Sequence, residues 1–149
     1  MFDINNFTFE QELQVRWSDL DPLGHVNNAV YITYFEVARG MYMMNASPQW
    51  NWKVDMFLIG NVNVNFLKEL TLFDIQPRVV MRTKRIGTKS FVLEYAVLSN
   101  TLNGETQIHA TGETTQIMFD MKNKKTIAIK DWLKTHLVSY EKNDTITLK

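Results

Sequence analysis

The sequence contains no cysteine, and this absence excludes several kinds of chemistry. Without cysteine there can be no disulfides, no thiolate zinc sites and no cysteine nucleophile. Long hydrophobic runs are also missing, since no stretch reaches about 18 uninterrupted apolar residues. Residues 1–12 lack a basic region followed by an apolar run, so they do not resemble a secretory or transit segment. We therefore expect a cytoplasmic protein with no membrane span.

Net charge is absent as well, because Lys plus Arg and Asp plus Glu both number 16. No global basic field favours nucleic acid as a partner, and we expect none. The chain has 149 residues, of which 45% are hydrophobic, as is typical of one globular domain. Since no repeat, low-complexity tract or Pro/Gly/Ser-rich linker interrupts it, the sequence predicts a single domain over residues 1–149.

Hydrophobic periodicity predicts one long helix among several strands. Alternation of Leu13, Val15 and Trp17 with polar residues predicts a first strand. Residues 28–44 are helix-like and apolar on most faces, so we expect other structure to surround this helix nearly completely. Alternation and turn signals then predict strands near residues 62–66, 75–85, 90–99 and 105–121, and a short helix near 130–137.

This order of elements predicts an α+β fold in which a curled antiparallel sheet wraps around one apolar helix. Pro77 places a kink or a sheet edge near the start of its strand. The polar tail after Ser139 is expected to be exposed or frayed.

A carboxylate loop leads into the long helix. Residues 19–28 read D-L-D-P-L-G-H-V-N-N, and Asn27 or Asn28 is a suitable helix cap. The first N–H groups of a helix have no partner within it, and the helix dipole makes this end positive. A carboxylate beside such donors could attack an activated carbonyl, or direct water at it, while the donors hold the developing oxyanion. The loop therefore predicts a catalytic site.

Metal sites fit this loop poorly. Asp19, Asp21 and Gly24 match the start of a calcium loop, but Leu23 and Val30 occupy positions that need oxygen ligands. The three histidines are too scattered in the sequence to suggest zinc. We expect neither a metal nor a cofactor.

Residues 15–39 read V-R-W-S-D-L-D-P-L-G-H-V-N-N-A-V-Y-I-T-Y-F-E-V-A-R. This run resembles the N-terminal signature of the hotdog-fold acyl-CoA thioesterases of the 4-hydroxybenzoyl-CoA thioesterase family. The resemblance implies an antiparallel sheet wrapped around a central helix, and acyl-CoA as the substrate. It also implies a homodimer or homotetramer in which protomers pair to extend the sheet, with active sites at the dimer interface.

The resemblance also implies roles for individual residues. Asp21, the second acidic residue of the motif, is the implied catalytic carboxylate, and Asn28 is the implied oxyanion donor. His25 lies in the same loop and is grouped with these two as a catalytic residue. The implied substrate contacts are Gly24, Val26, Asn27, Tyr31, Lys89 and Ser90, the last two near the coenzyme A phosphates.

The implied reaction is hydrolysis of acyl-CoA to the free acid and CoA. Asp21 would either attack the carbonyl to form a mixed anhydride or act as general base on water. Two alternatives remain open: the acyl group could be carried by acyl carrier protein, or the domain could bind an acyl ligand without catalysis, because a fold alone does not confer function.

Overall fold

A long helix and an antiparallel sheet make up most of the structure, a computed structural model that describes residues 2–141 and 146–148. The helices are α1 (Asn28–Ala46) and α2 (Asp131–Tyr140). The strands are β1 (Phe9–Glu12), β2 (Phe57–Phe66), β3 (Ile75–Ile86), β4 (Ser90–Asn100), β5 (Thr106–Asp120), β6 (Lys125–Thr126) and β7 (Thr147–Leu148). The sheet order is β1-β3-β4-β5-β2, with β6 beside β5 and β7 parallel to β3.

Helix α1 packs against the concave face of the curled sheet. Phe35 and Tyr42 on its inner side are fully buried, and Phe35 stacks on Tyr95 of β4 with ring centroids 4.4 Å apart. Burial of one such side chain contributes about 1.5–3 kcal/mol. The helix approaches β5 so closely that a Cβ at Gly112 would lie 2.6 Å from the Phe35 ring. A curled antiparallel sheet around one long helix is what the sequence pattern predicted, and it is the hotdog fold that the family resemblance implied.

The first strand lies earlier in the chain than predicted. β1 ends at Glu12, and beyond it the Leu13 N–H donates to the Pro77 carbonyl at 2.9 Å. Pro77 has no N–H to continue the ladder, and Gln76 bends β3 with a φ of 50°. The prediction of a strand through Trp17 is therefore wrong, since Trp17 begins a 3-10 turn and is 81% exposed.

The outer face of α1 is uncovered in the single chain. Its apolar residues Ile32, Val37, Met41 and Met44 are exposed, so the prediction of a helix surrounded nearly completely is wrong for one protomer. β2 is the last strand at the adjacent edge of the sheet, and most of its residues are exposed as well. A groove lies between α1 and the start of β2. We call this combined surface the α1–β2 face.

Residues 2–7 cross the opposite, convex face of the sheet. Their apolar side chains pack on a small second core that β3, β4 and β5 present outward. The members are Phe2, Ile4 and Phe7 from the segment, and Val80, Ala96, Leu98 and Ile108 from the sheet.

Glu141, just after α2, is buried, which corrects the prediction of an exposed tail at this residue. Its carboxylate accepts the Tyr42 hydroxyl at 2.5 Å and the Thr83 N–H at 2.8 Å, and also the Thr8 hydroxyl. These bonds join α2 to α1, β3 and the segment before β1. The tail residues 142–145 and 149 lie outside the described residues.

Candidate active site

Asp21 lies in a tight loop that its own backbone closes. The Asp21 N–H donates to the His25 carbonyl at 2.8 Å, and Leu20 pairs with Val26 in a short bridge. Gly24 takes a φ of 78°, in the left-handed region that glycine adopts without steric cost. The turn residues of the motif therefore reverse the chain direction and place Asp21 near the N-terminus of α1.

The two carboxylate oxygens of Asp21 differ in their hydrogen bonds. Its Oδ1 accepts the N–H of Leu23 at 2.9 Å and the N–H of His25 at 3.2 Å. Within residues 2–141 and 146–148, no donor binds the second carboxylate oxygen. One oxygen thus holds the loop while the other can act on a ligand.

Asp19, the other acidic residue of the motif, is fixed in place by hydrogen bonds. It is 1% exposed, accepts the Tyr34 hydroxyl at 2.8 Å, and forms an ion pair with Arg16 at 2.8 Å. Burial acts to raise the pKa of Asp19, but the hydrogen bonds from Arg16 and Tyr34 outweigh it, so this pKa lies below its ordinary value. Asp19 therefore remains ionised and supports the loop.

The N-terminus of α1 leaves one backbone donor unused. The Asn27 side chain caps the helix by accepting the Ala29 N–H at 3.0 Å. The Val26 N–H donates to the Leu70 carbonyl at 2.8 Å, and the Asn27 N–H donates to the Asp19 carbonyl at 2.9 Å. Across the described part of the chain, nothing accepts from the Asn28 N–H. The N–H groups of Val26 and Asn27 are thus hydrogen-bonded within the fold, whereas the Asn28 N–H is available to a ligand.

A cleft of about 300 Å³ opens at this point. Five residues that the sequence singled out line it: Asp21, His25, Val26, Asn28 and Tyr31. Its other wall comes from the end of β2 and the connection that follows, through Phe66, Leu67, Lys68 and Glu69. Sequence reasoning missed this wall because no motif marks it.

Tyr31 forms the floor between the two walls. It is 2% exposed, and its ring meets Phe66 edge-on with centroids 5.2 Å apart. Burial, and then the charge of Asp74, raise the pKa of Tyr31 to about 12. Its hydroxyl therefore stays protonated at neutral pH and can serve as a hydrogen-bond donor.

Comparison with known proteins shows the family to which the chain belongs. Residues 15–137 match the family model described as the thioesterase-like superfamily. The chain belongs to the thioesterase-like superfamily. It is a thioester hydrolase, and all residues that line the cleft lie within the matched range.

Individual relatives in this superfamily cover nearly the whole chain. The long-chain acyl-CoA thioesterase FadM of Escherichia coli (strain K12) is 29% identical over 130 residues, which are 86% of this chain and 96% of FadM. A thioesterase from Thermus thermophilus, solved with coenzyme A and Zn, is 30% identical with a TM-score of 0.79, covering 94% of this chain and 98% of that one.

A more distant structure supports the fold alone. The 4-hydroxybenzoyl CoA thioesterase from Pseudomonas sp. strain CBS-3 is 18% identical, with a TM-score of 0.76. The match covers 86% of this chain and 97% of that one.

Four of the substrate contacts implied for a thioesterase lie away from the cleft lining. Gly24 and Asn27 are exposed neighbours of it. Lys89 lies in the turn between β3 and β4, and Ser90 begins β4; the Lys89 carbonyl accepts the Met118 N–H at 2.9 Å. Met118 is at the far end of β5 from Ala110, which pairs with Phe66 at the cleft. One protomer therefore does not bring Lys89 and Ser90 to Asp21.

The described residues include neither a metal-binding group nor a membrane-spanning helix. Among the residues it describes, no three His, Asp or Glu side chains lie together as a metal-binding group. In the same residues, neither helix is both long and apolar enough to cross a membrane.

Proposed function

We propose that this protein is an acyl-CoA thioesterase in which Asp21 acts on the thioester carbonyl and the Asn28 N–H holds its oxygen. One observation carries the proposal: Asp21 and Asn28, which line the same cleft, have respectively a carboxylate oxygen and a helix N-terminal N–H that no described group binds. The likeness to FadM and to the Thermus thioesterase solved with coenzyme A supports acyl-CoA as the substrate.

The free oxygen of Asp21 can act in two ways. As nucleophile it attacks the thioester carbon, expels the CoA thiolate and leaves a mixed anhydride that water then hydrolyses. As general base it takes a proton from water, the resulting hydroxide attacks the carbon, and the thiolate leaves. Both routes develop negative charge on the thioester oxygen and need no strong acid, because a thiolate is a good leaving group.

The Asn28 N–H is placed to stabilise that charge. It is the first N–H of α1, where the helix dipole is positive, and its neighbours on both sides are already bonded. In other hydrolases one such donor contributes roughly 2.7–4 kcal/mol to transition-state stabilisation. The proposal assigns Asn28 this role.

A second protomer is part of the proposal. No strand in the described part of the chain pairs with the outer edge of β2, and antiparallel pairing of β2 with β2 of a partner would extend the sheet. Such pairing sets the Phe57 end of one strand beside the Phe66 end of the other. Lys89 and Ser90 lie near the Phe57 end, since Phe57 pairs with Met118, so the partner's copies would approach Asp21. A homodimer, alone or doubled into a tetramer, therefore completes the CoA site.

The test is thiol release from short, long and aromatic acyl-CoA esters by the wild-type protein and by Asp21→Asn. Asparagine keeps the Oδ1 acceptor for the loop but removes the nucleophile or base, so we expect kcat to fall by about 10²–10⁴-fold. Activity of Asp21→Asn within a few-fold of wild type would remove Asp21 from the mechanism.

Asp120→Asn is the matched control. The Asp120 Oδ1 also accepts two N–H groups of its own turn, from Lys122 at 2.9 Å and Asn123 at 3.1 Å, but it lies outside the cleft lining. This variant should keep wild-type kinetics. Turnover of acyl carrier protein thioesters alone would favour the carrier-protein alternative, and no turnover of either would favour a binding domain.

A further inference from the structure

His109 is a buried side chain that the proposed chemistry does not use. It lies on β5, is 0% exposed, and both ring nitrogens have partners. Nδ1 lies 2.9 Å from the Glu69 carbonyl oxygen, and Nε2 lies 2.7 Å from the Ser99 hydroxyl. A carbonyl oxygen can only accept, so Nδ1 carries the proton that joins His109 to Glu69.

The bond to Glu69 reaches the wall of the cleft. We call residues 67–74, between β2 and β3, the wall segment. The backbone of His109 holds its start, because the His109 carbonyl accepts the Leu67 N–H at 2.8 Å and the Lys68 N–H at 3.1 Å. Asp74 holds its other end by accepting the Thr71 N–H at 2.8 Å. Between these two points, the His109 ring holds the Glu69 carbonyl.

The wall segment in turn holds the catalytic loop. Leu70 directly follows Glu69, and its carbonyl accepts the Val26 N–H at 2.8 Å. Val26 ends the Asp21 loop and is two residues from Asn28. A short chain of bonds therefore runs from the His109 ring through Glu69 and Leu70 to the residues that set Asn28 against Asp21.

We propose that His109 is a positioning residue. Its Nδ1–H fixes the Glu69 carbonyl, and through Leu70 this bond fixes the position of the Asp21 loop relative to the Asn28 N–H. A small displacement of a reacting group can cost on the order of 10²-fold in rate. The kinetic part of this inference rests on the proposed function, whereas the anchoring of the wall segment does not.

Two substitutions separate positioning from simple stability. The Asn side chain places its amide nitrogen near the position of Nδ1, so His109→Asn can still donate to Glu69. The Gln side chain places its amide nitrogen near Nε2, so His109→Gln keeps the Ser99 contact and loses Glu69. Both variants lose one buried hydrogen bond, and we expect similar decreases in Tm.

The readouts are amide hydrogen exchange of Val26 and steady-state kinetics on an acyl-CoA ester that the wild type hydrolyses. For His109→Gln we expect faster exchange at Val26 and a kcat lower by about 10–100-fold, with KM less affected. For His109→Asn we expect kcat within about threefold of wild type and slow exchange at Val26.

Tyr42→Phe is the control for loss of a buried network elsewhere. It removes the hydroxyl that binds Glu141 and lies 2.7 Å from Thr83, far along α1 from the cleft, so it should lower Tm and leave kcat unchanged. Equal kinetic losses in the Asn and Gln variants, or unchanged Val26 exchange in His109→Gln, would overturn the proposal. If the wild type hydrolyses no acyl-CoA, the proposed function fails, and the exchange experiment still decides the anchoring.

Discussion

At the residue scale, Asp21 combines two tasks in one carboxylate. Its Oδ1 accepts two N–H groups of the loop, and its other oxygen, which no described donor binds, is the one that the proposed mechanism uses. Truncation to alanine would therefore release the loop and remove the oxygen to which we assign the chemistry. Only substitutions that keep the acceptor separate the chemistry from the folding of the loop.

The oxyanion role of Asn28 can be tested by deleting a backbone donor. Asn28 is the first residue of α1, a position where proline is tolerated, and Asn27 before it has ψ 136°, which suits a residue that precedes proline. Asn28→Pro should keep the helix and lower kcat by about 10²–10³-fold, because it removes one oxyanion donor. Steady-state kinetics and circular dichroism check both parts.

Two variants control for this proline. Asn28→Ala keeps the N–H and should retain kcat if the backbone is the donor. Asp131→Pro puts proline at the first residue of α2, outside the cleft lining, and should leave kinetics unchanged. If Asn28→Pro folds and turns over normally, the N–H of Asn28 has no part in the reaction.

The sequence singled out the wall of the cleft that contains Asp21, His25 and Asn28, and it missed the opposite wall. Asp21, His25 and Asn28 lie within ten consecutive residues, so one local motif identifies them together. Phe66 and Glu69 meet them only because the connection after β2 folds back onto Val26. That contact is tertiary, and no local periodicity encodes it.

At the element scale, the α1–β2 face is the surface that most needs a partner. Exposed apolar residues on α1 adjoin the ten-residue edge strand β2, and no other described strand pairs with its outer backbone groups. A long edge of this kind is a template for pairing with another chain. This exposure also explains why the apolar pattern of α1 predicted a more enclosed helix than one protomer provides.

Charge placed on this edge should separate the protomers. Val62 lies in the middle of β2 and is 38% exposed, so Val62→Lys places an ammonium where a partner strand would pack. We expect the wild type to be a dimer or tetramer and Val62→Lys to be a monomer. The monomer should bind substrate at least about tenfold more weakly, because a tenfold loss corresponds to one lost contact of about 1.4 kcal/mol. Sedimentation and KM measure the two effects.

Leu102→Lys is the matched control, because Leu102 is an exposed leucine at the β4–β5 turn, away from the α1–β2 face. It should keep both the wild-type assembly and KM. A wild-type protein that sediments as a monomer while hydrolysing acyl-CoA would contradict the paired-sheet proposal.

The misplaced first strand shows a different limit at this scale. The alternation of Leu13 and Val15 is real, since both pack against the core. Pairing stops at Glu12, however, because the facing part of β3 contains Pro77 and a bend at Gln76. A strand needs a partner with free backbone groups, and alternation within one segment does not reveal that partner.

At the scale of the whole molecule, residues 2–7 seal the convex face. Full burial of a Phe or Ile contributes about 1.5–3 kcal/mol, and the three apolar residues here are partly buried. Deleting residues 2–7 should therefore lower the free energy of unfolding by about 2–4 kcal/mol and expose Val80, Ala96 and Leu98. Urea denaturation and binding of an apolar dye measure these effects.

The deletion should leave kcat nearly unchanged, because none of these residues lines the cleft. A truncated protein as stable as wild type would show that the segment contributes no packing energy.

The overall architecture was the part most readily predicted, because the long apolar helix and the hairpin turns both appear in local sequence. The packing of the first residues on the outer surface was not predicted, because a six-residue segment carries too short a pattern.

The position of this segment has a practical consequence for anyone attaching the protein to a support or a label. Phe2 lies on the side of the sheet that faces away from α1. A tether joined at the amino end should leave the cleft beside Asp21 open, and the immobilised protein should keep its access to large thioester substrates.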